Sequence, residues 1–210
     1  MLKKRKEKLL MTQNIEIENH PLTPFLPQNG RLLMLGSFPP QQKRWCMNFY
    51  YPNFSNDMWR VFGLVFFNDP IHFVDTQFKQ FKKDKIIDFL QTNGIGLYDT
   101  ACAVRRLQDN ASDKFLEIVK ATDIESLLLQ MPDCHAIVTT GQKATDTICE
   151  HFQIKQPKMG SCITFEMKFA TGNLYRLMTL YRMPSTSRAY PLSLQKKAEI
   201  YKLMFQKVFK

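Results

Sequence analysis

A chain of 210 residues, 44% of them hydrophobic, can bury one sizeable core, which favours one domain over two and leaves no segment long enough to span a bilayer. Its 29 Lys and Arg against 19 Asp and Glu, a formal charge of +10, attract polyanions and make nucleic acid the leading partner class, with scattered charge on a soluble surface as the plain alternative. Five dispersed cysteines (Cys46, Cys102, Cys134, Cys149 and Cys162) without C-x-x-C spacing, and four histidines without an i, i+4 pair, offer no zinc or iron–sulfur ligand set, so neither metal nor cofactor is expected.

Lys3, Lys4, Arg5, Lys6 and Lys8 open the chain with no apolar run behind them of the kind a signal peptide needs. Residues 1–20 are therefore expected to be a flexible basic tail and lead-in, with Met11 an alternative start, and residues 21–210 a single domain. A cytoplasmic protein, nucleoid-associated in a bacterium, is the matching expectation. Residues 31–35 (R-L-L-M-L), closed by Gly36-Ser37 and Pro39-Pro40, read as a buried strand entering a loop. Ser55-Asn56 are good cap residues ahead of 57–67, which are apolar on several faces and predict a buried helix. Residues 79–91 predict an amphipathic helix ending before Asn93-Gly94, and 95–98 a short strand running into Asp99. Residues 112–130 read as mostly helical, stopped by Pro132. At 136–139 the strand-into-glycine pattern returns, with a helix over 143–152. Residues 162–170 alternate, Gly172-Asn173 is a hairpin-type turn, and 174–183 form the returning strand. A last helix over 194–209 is expected to carry Lys196, Lys197, Lys202 and Lys207 on its outer face.

Strands alternating with helices predict an α/β fold, a three-layer α/β/α sandwich around a central, mainly parallel sheet. Ligands of such sheets collect outside the carboxyl ends of the strands, which makes the loops after Leu35, Tyr98, Thr139 and Met183 the site candidates. These loops hold G-S-F-P-P (36–40), Y-Y-P-N-F-S-N-D-M-W (50–59), Asp99 and M-P-S-T-S-R (183–188).

In that order the motifs resemble those of the uracil-DNA glycosylase superfamily. Within it the chain is most similar to the hypoxanthine-DNA glycosylase group, and G-I-G-L-Y-D (94–99) and Ser112-Asp113 resemble that group's middle segments. M-P-S-T-S also looks like the thymine and uracil mismatch branch. The resemblance implies a uracil-DNA glycosylase-like domain that works as a monomer on DNA in base-excision repair. It would flip hypoxanthine or uracil out of the duplex and hydrolyse its N-glycosidic bond without cutting the strand.

Each site residue has a chemical reading and a structural one. Gly36 lets the chain turn off its strand, so that groups near Ser37 and Phe38 meet a base edge; an ordinary strand-end turn is the alternative. Where mismatch-specific relatives carry an asparagine, this chain has Phe38, which shifts the water-holding role to Asn56, the residue that matches the hypoxanthine group's N-x-F-W. An amide orients a water but is too weak a base to deprotonate it, so the implied transition state is oxocarbenium-like. Asn56 reads equally well as a helix cap, and Asp57 is the reserve water activator. Tyr50, Tyr51, Phe38 and Trp59 offer stacking surfaces for an extruded base, although Trp59 also suits a core. Asp99 would accept from a base edge or hold Arg105 or Arg106. Pro184, Ser185, Thr186, Ser187 and Arg188 would hold a phosphate, or simply form a Ser/Thr-rich loop. Lys143, in Gly141-Gln142-Lys143, suits DNA backbone contact or helix initiation. Met183 replaces the histidine that many superfamily members use to support the departing base, and Met58 replaces a phenylalanine. A binding protein of this fold without catalysis is the second reading, and a nucleoside or phosphate enzyme the third.

Overall fold

The structure is a computed structural model that describes residues 15–108, 115–170, 172 and 174–210. The basic run at 3–8, Met11, Ser112-Asp113 and Asn173 lie outside the described residues. Ten strands are described. They are β1 (Ile17–Asn19), β2 (Leu32–Gly36), β3 (Val74–Asp75), β4 (Gln80–Phe81), β5 (Ile95–Asp99), β6 (Ala101–Arg106), β7 (Leu116–Ala121), β8 (Ala136–Thr140), β9 (Cys162–Lys168) and β10 (Tyr175–Met183). Five of them form the central sheet in the order β5-β2-β8-β10-β9. The first four run parallel, and β9 closes the edge antiparallel to β10.

Every residue of β2, β5 and β8 is buried. Because successive side chains of a strand point to opposite faces, burial of all of them means that both faces of the sheet are covered, as parallel sheets require. The cover comes from helices α1 (Met58–Phe67), α2 (Lys83–Asn93), α3 (Ile124–Leu129), α4 (Gln142–His151) and α5 (Leu194–Val208). α1 packs on α5, α2 on β5 and α4 on β8. One apolar cluster runs from Leu32–Leu35 through Trp59 and Phe62 to Tyr201 and Phe205. The expected mixed α/β architecture with a mostly parallel central sheet is the one observed.

Four local expectations are corrected. Residues 112–130 are not one helix: Leu116–Ala121 pairs antiparallel with β6, and only from Asp123, whose carboxylate accepts from the Ser126 amide, does a helix begin. The pairing buries Leu116 against Phe38 and Val104, a gain that a helix there would forgo. Helix α2 starts at Lys83, four residues late, because Gln80–Phe81 is taken by a ribbon with Val74–Asp75. It runs through Asn93, two residues past the expected Gln91, and stops at Gly94, whose φ of +64° lies in the left-handed region and where a Cβ would come within 2.3 Å of the Asn29 carbonyl oxygen. The lead-in is tied down from residue 17 onward: Ile17–Asn19 pairs with Ala103–Arg105, forming the sheet β1-β6-β7. On α5, Lys196, Lys202 and Lys207 are exposed, but Lys197 is fully buried.

Candidate active site

The carboxyl ends of β2, β5, β8 and β10 open on one cleft of about 720 Å³, within the roughly 300–1,000 Å³ range of small-ligand sites. Its lining contains Gly36, Ser37, Phe38, Tyr50, Tyr51, Asn56, Asp99, Lys143, Ser185, Thr186, Ser187 and Arg188. The three motifs, spread over about 150 positions of sequence, thus meet at one place because the parallel register sets all four strand ends level. Asp57, Trp59 and Pro184 are not in the lining.

Gly36 is the last residue of β2 and pairs in register with Asp99 of β5. The expectation that it turns the chain is replaced by a sharper one: a Cβ at Gly36 would sit 2.3 Å from Asp99 Oδ1. Its missing side chain is the space that the carboxylate occupies. Asp99 is buried and holds neither Arg105 nor Arg106. Its Oδ2 instead lies 2.8 Å from His20 Nε2. Arg106 grips Glu18 with two bonds of 3.0 Å, donates to the Pro39 carbonyl at 3.2 Å, and lies over the Phe38 ring. Arg105 faces Glu117 at 3.8 Å. Phe38 is buried and meets His20 edge-on, its centroid 5.3 Å away.

The second motif is held from several sides. The Asn53 side chain and carbonyl accept from the Ser55 and Asn56 amides, Arg60 donates to the Phe54 and Asn56 carbonyls, and Asn56 forms a bridge with Ser187. The N-cap position of α1 falls to Asp57, whose side chain makes no cap bond, while Asn56 Oδ1, one residue earlier, accepts from the Met58 amide at 2.8 Å and so satisfies the first amide of the helix while Asn56 faces the cleft. Tyr51 adopts φ +50° and its hydroxyl pairs with Thr140 Oγ1 at 2.9 Å, fixing the ring at the end of β8. A non-glycine residue in this region costs on the order of 1 kcal/mol, which the surrounding contacts offset. Tyr50 donates its hydroxyl to the Thr23 carbonyl. Burial, with Asp99 nearby, pushes its phenol well above the ordinary range, so it stays protonated.

Trp59 offers no stacking face: it is fully buried in the core and donates its indole N–H to the Tyr50 carbonyl at 3.1 Å. Asp57 does not face the cleft either. Its Oδ2 accepts from Lys197 Nζ at 3.0 Å and its Oδ1 from Arg188 Nε at 3.3 Å. Lys197 also donates to the Ser187 carbonyl at 2.8 Å, and the Asp57 amide donates to the Thr186 carbonyl at 2.9 Å. With both oxygens engaged, Asp57 is a buried counter-ion joining the second motif to the third. Pro184 is held from below by the Tyr201 hydroxyl. Ser185 and Ser187 each accept from the amide two residues on, the compact turns typical of such loops.

Gly141, at φ +115°, delivers the N-terminus of α4 to the cleft, with Lys143 on its first turn. That arrangement favours an anion. Among the described residues no group of three His, Cys, Asp or Glu is placed to hold a metal ion, and no helix is long and apolar enough to cross a membrane. His20 and Lys197 are the two site residues that the sequence reading missed. His20 fell in the lead-in, and Lys197 looked like one more solvated lysine.

No family model matches the chain, and no curated protein matches it. Among solved structures the fold is shared with a solution structure from Methanosarcina acetivorans described as a "putative Uracil DNA glycosylase". The two chains are 19% identical, with 93% of this chain and 100% of that one covered and a TM-score of 0.57. At that identity the likeness shows the fold, a mixed α/β domain on a mostly parallel sheet.

Proposed function

We propose that this chain is a monofunctional DNA glycosylase that takes a deaminated base, hypoxanthine or uracil, out of the duplex and hydrolyses its N-glycosidic bond. The observation that carries the reading is the convergence of three motifs, each resembling a uracil-DNA glycosylase superfamily motif, on one cleft at the carboxyl ends of four parallel strands. The hypoxanthine group remains the nearest likeness by motif.

In the proposed reaction the extruded base enters beside Gly36 and Asp99, and Tyr51 and Phe38 supply its aromatic walls. The Ser185–Arg188 loop, Lys143 and the N-terminus of α4 take the flanking phosphates. Asn56 holds the attacking water. Its Oδ1 is oriented by the Met58 amide, which leaves the oxygen's second lone pair and the Nδ2 hydrogens for a water. Holding the Met58 amide and holding water are thus compatible duties of one side chain. Because an amide cannot take the proton, the bond from base nitrogen to C1′ breaks ahead of attack, and its electron pair leaves with the base. Water oxygen then bonds to C1′, and the displaced proton ends on the base nitrogen. Met183 is buried and offers the departing base no proton, so support for its charge falls to neighbouring N–H donors.

The test is a panel of duplexes each carrying one uracil, hypoxanthine or mismatched thymine, scored for released base and for alkali-labile sites. Release from uracil or hypoxanthine, with strand cleavage only after alkali, is expected. Binding without release from any duplex would favour a protein that keeps the fold and the DNA contacts but no catalysis.

A further inference from the structure

His20 comes from the segment ahead of β2, the first strand of the central sheet, yet its ring is enclosed. Its side chain is 2% exposed. β1 brings it there: Ile17–Asn19 pairs with β6, and the His20 amide donates to the Cys102 carbonyl at 2.8 Å. The ring stands among Tyr98, Phe38 and Tyr50, with centroids at 4.6, 5.3 and 6.4 Å. Nδ1 is tied to the Leu22 backbone, 2.8 Å from its oxygen and 3.2 Å from its nitrogen. Nε2 is left with one partner, Asp99 Oδ2. Neither ring nitrogen needs a substrate.

We infer that His20 is the positioning residue of the base pocket: it holds the Asp99 carboxylate against Gly36 so that Oδ1 stands as a fixed hydrogen-bond acceptor at the cleft wall, and thereby selects bases whose ring presents an N–H. The inference deepens the glycosylase reading and rests on it for the identity of the ligand. A carboxylate with free rotation would present either oxygen in several directions. Here Oδ2 is taken by the imidazole, and Oδ1 occupies the space that Gly36 leaves open. A fixed acceptor suits the lactam edge of uracil or hypoxanthine, whose ring nitrogen carries a hydrogen beside a carbonyl. In cytosine and adenine the corresponding ring nitrogen is itself an acceptor, and it would face the carboxylate lone pair to lone pair. His20 touches no substrate in this scheme; it acts through Asp99.

The experiment uses the full chain, ¹⁵N-labelled, with the His20 ring signals identified from His20→Gln. Free uracil, hypoxanthine, cytosine and adenine are titrated in turn, and base release from uracil and hypoxanthine duplexes is measured on the same proteins. The expected result is that a lactam base moves the His20 ring signals while cytosine and adenine leave them in place. His20→Ala, still folded by its melting transition, should lose about tenfold or more in base release, the worth of one misdirected hydrogen bond. His20→Gln, whose amide can donate to Oδ2, should recover most of that loss. If a lactam moves the ring signals but no duplex loses a base, the His20–Asp99 inference stands and the glycosylase reading falls. If no base moves the ring signals, or if folded His20→Ala binds and releases bases as the parent does, the inference is overturned. Should His20→Ala not fold, Asp99→Asn decides: unchanged preference among the four free bases overturns it as well.

Discussion

At the scale of single residues the proposed chemistry rests on Asn56 and Gly36, and each makes a separable prediction. Asn56→Ala removes the amide that would hold water and also the acceptor of the Met58 amide. It should cost about 1 kcal/mol of stability, the usual worth of such a bond, while base release falls by at least ~100-fold. Thermal melting and single-turnover release, run side by side, separate the two effects. Gly36→Ala places a methyl 2.3 Å from Asp99 Oδ1 and forces the carboxylate or the strand to move. Overpacking of this kind costs about 1–3 kcal/mol, and release should fall further than that loss of stability explains. An alanine variant with the parent's release rate would show that the Gly36–Asp99 approach is dispensable. What could be read in the sequence at this scale was most of the cleft lining, though not that Asp57, Trp59 and Pro184 stand outside it, because strand-end loops are recognisable from punctuation. What could not be read was who holds them: His20 and Asp99 are 79 positions apart, and no local pattern joins them.

Among the elements, α5 does more than cover the sheet. Through Lys197 and Tyr201 it reaches Asp57, Ser187 and Pro184, so the last helix sets the spacing between the second and third motifs. Lys197→Ala should lose about 3 kcal/mol or more, the order expected when one partner of a buried ion pair is removed, because Asp57 keeps only the exposed Arg188. Denaturant unfolding checks this, and a loss below about 0.5 kcal/mol would place Lys197 with ordinary surface lysines. The pattern of α5 gave its length, but Lys197 reads as one of four solvated lysines unless its buried partner Asp57 is known. The strand at Leu116–Ala121 was hidden for a related reason. Only one of its residues is buried, so its pattern is weak, and its strand character comes from pairing with β6.

For the whole molecule, the charge of +10 is distributed over residues with different duties. Arg60, Arg106, Arg176 and Arg182 spend their donors on backbone carbonyls or internal partners. Lys143 and Arg188 line the cleft, Arg188 with its Nε on Asp57 and its side chain otherwise largely exposed. Affinity for an undamaged duplex should therefore fall steeply with salt, and Lys143→Ala should lower the slope of log K against log salt by about 1, while Lys196→Ala leaves it unchanged. The thiols report on the core. Burial pushes the Cys134 thiol up to about 11, whereas Cys162 is exposed. A raised thiol pKa keeps the reactive thiolate scarce at pH 8, so alkylation there should modify Cys162 first and reach Cys134 only on unfolding. Composition and periodicity were enough for the α/β layering, since fully apolar strands need cover on both faces. The small sheet β1-β6-β7 was not legible, because its strands are short and lie next to segments that read as lead-in and helix.

The proposed reaction of this cleft is hydrolysis of the N-glycosidic bond of a deaminated base with Asn56 holding the water. Single-turnover incubation of the parent chain and Asn56→Ala with a duplex carrying one hypoxanthine or one uracil, followed by chromatography of free base, tests it most directly. The parent chain should release at least one of the two bases stoichiometrically, and folded Asn56→Ala little or none. Release by the variant at the parent's rate, or no release of either base by the parent, would contradict it.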